Sequence, residues 1–231
     1  MEEHFDEVDI KCADCSTMLK GPKMIREMFP SAFRCPPCED KAKVKFDEGK
    51  EREKALVKRE KWEELCPKLY QNTDINHKGF PVHIWEKIKG RKHSERGIML
   101  RGDSRTGKTR LMFKYLEHLF FSHRVKPMIL YAGELSLNIT NLLDNTRMYK
   151  EWEERLKTVP LLFLDDLFAE KYTERSEDVL FRIIDTRTRD MLPIYSTTQK
   201  KGVAIEKGFQ DKDRAIALTE RLREFCDIIP I

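Results

Sequence analysis

Residues 101–110 read RGDSRTGKTR, and the fold turns on what that decapeptide is. Within it, the run Gly102, Asp103, Ser104, Arg105, Thr106, Gly107, Lys108, Thr109 has the G-x-x-x-x-G-K-[ST] spacing of a phosphate-binding loop. In such a loop the glycines let the backbone turn its amides onto phosphate, the lysine reaches the terminal phosphates and the hydroxyl binds Mg²⁺. That chemistry needs a strand before the loop and a helix after it, because loop amides and helix start together make the anion site. A basic surface turn with fortuitous glycines would have neither flank.

Both flanks are legible. GIML at 97–100 is a short apolar run of strand type, and TRLMFKYLEHLFFS from Thr109 to Ser122 repeats apolar residues at helical spacing through Leu111, Tyr115 and Leu119 and through Met112 and Leu116. Farther on, PMILYA at 127–132 reads as a strand, followed by helical stretches near 134–144 and 147–157. LLFLDDL after Pro160 is an apolar run ending in paired carboxylates. SEDVLFRIIDTRTRDM gathers Val179, Ile183, Leu180 and Ile184 on one helical face, PIYSTTQ at 193–199 is a strand, and RAIALTERLREFC is a helix running into DIIPI. Short apolar strands separated by helices of ten or more residues predict an α/β fold, with a mainly parallel sheet covered on both faces and ligands at its strand ends.

The paired carboxylates are the second candidate element. A buried strand ending in Asp165 sets a carboxylate at the sheet edge, where it can hold Mg²⁺, and Asp166 one residue on is the candidate base or water-orienting group. The plainer alternative is a helix cap with a solvated neighbour. Among Thr197, Thr198 and Gln199 at the end of PIYSTTQ, Gln199 is the choice for a polar group that orients water or senses the terminal phosphate, against an ordinary strand-terminal amide.

Composition sets the outer bounds. A chain of 231 residues, 40% hydrophobic and 36% charged, has material for one substantial domain and a small appendage. No run of about 18 apolar residues occurs, and the start MEEHFDEVDIKCADC is acidic where a secretory leader is basic and then apolar. A soluble cytoplasmic protein without a membrane partner is expected. The net charge of +4 hides a gradient: residues 1–40 hold nine acids against five Lys or Arg, residues 41–65 hold seven against nine, and the rest carries the basic excess. That balance permits a nucleic-acid surface without locating one. Three regions follow: a cysteine module at 1–40, a charged helical linker at 41–65 with Leu56 and Trp62 as docking points, and the body at 66–231.

Cys12 and Cys15, then Cys35 and Cys38, form two C-x-x-C pairs separated by nineteen residues, a spacing that brings four thiolates to one tetrahedral Zn²⁺. With four cysteine ligands no position remains for water, so the metal is structural. Between the pairs lie Lys20, Lys23, Met24, Ile25, Arg26, Met28 and Phe29; in an acidic module these favour contact with a partner protein over contact with DNA. Cys66 and Cys226 read as small buried hydrophobes, and Trp62, Trp85 and Trp152 as packing residues. His77, His83, His93, His118 and His123 form no recognised metal pattern.

Taken in order, GIMLRGDSRTGKTRL, LLFLDDL, PIYSTTQ and RAIALTERLREFCDII resemble the ATPase domain of bacterial and phage replicative helicase loaders, the DnaC family, and of the related IstB-like transposition ATPases. The resemblance spans about residues 66–231. It implies a P-loop NTPase of AAA+ type with a five-stranded parallel sheet, ATP and Mg²⁺ bound between subunits of a homo-oligomer, and coupling of ATP state to single-stranded DNA and a ring helicase. Lys108 and Thr109 would then serve the phosphates, Asp165 and Asp166 the metal and hydrolysis, and Gln199 the first sensor. Arg221 would enter the neighbouring subunit's ATP site, with Arg223 as its substitute in a shifted register. The sequence departs from the family in having Asp166 where Glu is frequent and Gln199 where Asn is usual. It also stops at DIIPI, where relatives continue to a second sensor arginine, so a fold without a C-terminal lid and slow hydrolysis are expected. The alternatives to helicase loading are a transposition ATPase on target DNA and a nucleotide-regulated scaffold without turnover. A nucleotide kinase would need an arginine-bearing lid and an acceptor pocket, which the sequence does not display.

Overall fold

The computed structural model describes residues 7–23, 33–93, 96–201 and 203–231. Two compact units divide it, Met1–Glu60 and Lys61–Ile231. The stretch from Met24 to Phe29, read above as a contact face, lies outside the described residues.

In the first unit, strands β1 (Glu7–Lys11) and β2 (Met18–Pro22) pair antiparallel, from Glu7 opposite Pro22 to Lys11 opposite Met18. The sequence reading did not anticipate this hairpin; its connection is the first C-x-x-C turn, so a metal-ligand motif does the work of turn residues. Helix α1 (Pro36–Leu65) begins inside the second cysteine pair and runs unbroken for 30 residues. The charged stretch expected at 41–65 is thus the body of a longer helix. Leu56 is 65% exposed, whereas Trp62 is 1% exposed: of the two expected docking points only Trp62 is used, and it belongs to the core of the second unit, near Phe120 and Phe121.

The second unit is a five-stranded sheet in the order β4-β5-β6-β3-β7, with every pairing parallel. Its chain order is α2 (Lys68–Gln71), α3 (Val82–Ile88), β3 (Gly97–Arg101), α4 (Lys108–His123), β4 (Pro127–Tyr131), α5 (Leu135–Leu142), α6 (Thr146–Thr158), β5 (Leu161–Asp165), α7 (Glu174–Arg189), β6 (Ile194–Thr198), α8 (Val203–Glu206), α9 (Lys212–Phe225) and β7 (Cys226–Pro230). Alternation within β5 divides the core between the two faces. Leu161 and Phe163 pack with α3 and α4, including Phe113 and Leu116; Leu162 and Leu164 pack with α5, α6, α7 and α9, including Ile183 and Leu218. The C-terminal DIIPI, not assigned to an element from the sequence, supplies most of β7, the edge strand beside β3, with Ile228 opposite Met99.

Helix α7 also buries a cation. Arg187 follows Val179 and Ile183 at four-residue steps and is 0% exposed; its Nη1 donates to the carbonyls of Leu156, Lys157 and Val159 at 3.0, 3.3 and 2.8 Å, and its Nη2 to that of Pro193 at 2.8 Å. The end of α6 therefore receives a positive charge where its dipole is negative, and the entries of β5 and β6 are tied together. Burial pulls the Arg187 guanidinium down to about 10. Among the described residues, no helix is long and apolar enough to cross a membrane.

Candidate functional site

The loop 102–109 leaves the end of β3 and enters α4, the context its motif demands. Gly107 is the N-cap of α4 with φ +84°, a left-handed conformation, and a Cβ there would lie 2.8 Å from the Gly79 carbonyl oxygen; both facts require glycine. At Gly102 a Cβ would sit 2.2 Å from the Ile231 carbonyl oxygen, whose strand runs alongside. The helix start carries no side-chain cap, so its first amides keep their capacity to meet an anion.

Around the loop lies a cleft of about 410 Å³, lined by Ser104, Arg105, Gly107, Lys108 and Thr109, by Asp166 and Gln199 from the ends of β5 and β6, and by Tyr70 and the 77–79 turn. Lys108 is 4% exposed and its Nζ donates to the Asp103 carbonyl at 2.6 Å. Burial lowers its pKa, while Asp166, Asp103 and Asp165 oppose that shift. Within the loop, the Thr106 hydroxyl also donates to the Asp103 carbonyl, at 3.0 Å.

Behind the cleft, Asp165 ends β5 at 5% exposure, and its Oδ1 accepts from the Thr109 hydroxyl at 2.9 Å and from the Thr197 hydroxyl at 2.6 Å. Burial pushes the Asp165 carboxyl up, and those two hydroxyls pull it back. Asp166 takes φ +51°, left-handed geometry that Asp tolerates better than most residues. The Asp166 amide donates to the Thr197 Oγ1 at 2.9 Å, and the Leu167 amide to the Thr197 carbonyl at 2.8 Å. Thr197 thus holds both aspartates, the side chain of Asp165 and the backbone of Asp166.

The sequence reading passed over Thr197 in favour of Gln199, although β5 and β6 pair through Leu164 opposite Ser196, one residue short of Asp165 beside Thr197. The hydroxyl is the signal that was available. Replacing Thr197 with Val keeps the β-branched shape and removes both hydrogen bonds. The expected result is about tenfold weaker magnesium-dependent ATP binding, since a hydrogen bond to a charged group contributes about 1.5–3 kcal/mol, with Ser restoring most of it; titration calorimetry at several magnesium concentrations measures both.

Arg221 does not line this cleft. On α9 its Nε and Nη2 lie 2.9 and 2.8 Å from Asp185 Oδ1, with the guanidinium over the Phe181 ring at 4.8 Å. Arg223 pairs with Glu220 at 2.7 Å.

In the first unit, the sulfurs of Cys12, Cys15, Cys35 and Cys38 all lie within 4.8 Å of one another. Four thiolates at about 2.3 Å from one tetrahedral ion stand at comparable mutual distances, so the set fits a zinc-like metal. The Cys35 amide donates to Cys12 Sγ at 3.3 Å. Amides from Cys15 and Cys35 lower the Cys12 thiol to about 6, while the crowding of Cys35 and Cys15 raises Cys38 to about 12. A divalent cation relieves that crowding by neutralising the sulfurs together.

Comparison with known proteins gives the class first. The second unit has the α/β layout of AAA+ P-loop domains, and the chain superposes on a structure of DnaI with a TM-score of 0.57 and 26% identity over 69% of this chain and 88% of that one. It also superposes on the DnaC helicase loader at 0.55 and 17%, covering 74% and 98%, and on AMPPCP-bound DnaA from Aquifex aeolicus at 0.55 and 19%, covering 72% and 51%. The replicative helicase loader DnaI of Bacillus subtilis (strain 168) is 23% identical over 227 residues, 90% of this chain and 71% of that protein. No family model matches the chain. The chain shares the AAA+ fold of these proteins, is distantly similar in sequence to DnaI, and carries a four-cysteine cluster able to bind a metal.

Proposed function

We propose that this protein is an ATP-dependent loader that binds a replicative helicase and delivers it to single-stranded DNA, with ATP binding and hydrolysis as the switch. The observation that carries the reading is a cleft lined by Lys108, Thr109 and Asp166, with Asp165 bonded to Thr109 behind it, in a chain similar over most of its length to a helicase loader. Lys108 and the loop amides hold the phosphates, Thr109 and Asp165 hold Mg²⁺, and Asp166 and Gln199 orient the water. Bound magnesium supplies the neutralisation of charge that phosphoryl transfer needs. Zinc at the four cysteines is structural and shapes the end that grips the helicase.

Arg221 belongs to this proposal as the residue a homo-oligomer presents to its neighbour's site. Its pairing with Asp185 fixes the guanidinium in one orientation and leaves the side chain 33% exposed. Arg223 remains the substitute.

The test is a pull-down of the cognate replicative helicase by the full chain in the ATP, ADP and nucleotide-free states, beside a truncation starting at Lys61. That boundary retains Trp62, whose ring is core. Binding that depends on nucleotide and on the first unit supports loading. Absence of binding in every state removes it, and ATP-dependent coating of duplex DNA transfers the reading to a transposition ATPase.

A further inference from the structure

A second concavity lies at the far edge of the sheet, away from the loop chemistry. β4 is an outer strand whose only strand neighbour among the described residues is β5, so its alternate peptide groups face outward without a ladder partner there. Beside it runs a groove of about 880 Å³. Its walls come from both faces of the sheet. Leu65, at the end of α1, and Ile129 and Tyr131 pack with one core layer; Met128 and Val159 pack with the other. A groove that straddles an edge in this way has free backbone along its floor and apolar side chains on both sides, the geometry that accepts one more strand.

Charge narrows the occupant. Arg124, Lys126 and Arg155 line the groove and are exposed, and among the described residues none is joined to a carboxylate; Glu64 is the single acid in the lining. Lysine and proline often guard an edge strand against aggregation, and Pro127 does open β4. Here, however, the cations come from two separate segments, the α4–β4 loop and α6, and frame an apolar channel.

We propose that this edge is a docking slot for an extended segment of a partner protein that carries both acidic and apolar residues, bound as a sixth strand beside β4. Successive side chains of an added strand point to opposite faces of the sheet, and both faces offer apolar walls, so the segment needs apolar residues on either side, with acidic residues among them where Arg124, Lys126 and Arg155 line the groove. A nucleic-acid strand would engage the cations and leave the apolar walls and strand amides unused. A second copy of this chain, paired edge to edge, would bring two sets of unneutralised cations together.

The test uses the full chain and a fluorescein-labelled synthetic heptapeptide in which acidic pairs (Asp or Glu) and apolar pairs (Val or Ile) follow one another, so that each face of the strand carries both kinds. Fluorescence anisotropy is expected to give a dissociation constant on the order of tens of micromolar, rising with salt. The Lys126→Glu, Arg155→Glu double variant is expected to bind about tenfold more weakly with an unchanged melting temperature, since both side chains are exposed. The same peptide N-methylated at alternate backbone nitrogens is expected to lose a similar factor, which tests strand addition without touching the protein. The proposal fails if the methylated peptide binds equally well, if charge reversal has no effect, or if no binding appears at millimolar peptide. It fails equally if a thymidine oligonucleotide displaces the peptide from the groove, or if sedimentation shows that the edge is closed by a second copy.

Discussion

Lys108→Ala is expected to weaken magnesium-dependent ATP binding by about a hundredfold, a loss of about 2.7 kcal/mol, measured by titration calorimetry on the folded, metal-loaded protein. The size follows from what Lys108 offers: an ammonium 4% exposed, at the first turn of a helix whose start is uncapped, with burial working against its charge. A buried cation given an anionic partner recovers more than an exposed one, and charge-assisted hydrogen bonds of about 1.5–3 kcal/mol each reach the stated loss with two contacts. The fold should tolerate the change, because the one hydrogen bond described for this ammonium goes to the Asp103 carbonyl in its own loop.

Asp166→Ala is the necessary contrast. It leaves Lys108 and the Thr109–Asp165 hydrogen bond in place, so ATP affinity should change about threefold or less while phosphate release falls about a hundredfold, in the range for losing a positioned catalytic group. Alanine is strained at the φ of +51° that Asp166 adopts, so Asp166→Asn, which accepts that geometry, separates loss of charge from loss of backbone shape. Normal turnover in the Lys108 and Asp166 variants alike would remove the site assignment.

How much of this was legible in the sequence depends on the range of each signal. The loop and its flanks were, because glycine at fixed spacing, an apolar strand and a 3.6-residue period are local. The core faces of α4 and α7 follow from the same period. Contacts across the sheet were not. Thr197 matters because β5 and β6 lie side by side, and only the pairing register reveals that its hydroxyl meets Asp165 rather than solvent. Arg187 went unread for a related reason. An arginine four residues beyond Ile183 reads as the polar margin of a helix, whereas the carbonyls that end α6 and begin β6 converge on it. The strand Cys226–Pro230 escaped because a short apolar run after a helix has no period of its own; the open edge of β3 gives it one. At the hairpin of the first unit, the cysteine spacing spoke for the ligands while hiding the strands that present them.

That hairpin carries the other large expected effect. Among the described residues of the first unit, the buried side chains are Ile10, Cys12, Cys35 and Cys38: three of the four are candidate ligands. One isoleucine is little to hold a unit of this size against the entropy of its chain, so a metal held by the four sulfurs is expected to supply its fold, as small metal-bound modules are folded only when loaded. Treating the full chain with a strong zinc chelator is therefore expected to release one equivalent of metal per chain and to collapse the amide resonances of residues 7–22 into the unfolded range. The buried-core signals of residues 97–101 and 161–165 should stay where they are, because that core buries residues from both faces of a five-stranded sheet. Cys12→Ser should reproduce the collapse without chelator, since Cys12 is 1% exposed and receives the Cys35 amide that joins the two cysteine pairs. A hairpin that survives chelation with native resonances would mean that the four sulfurs are a packing cluster, and the account of this unit as metal-dependent would fall with it.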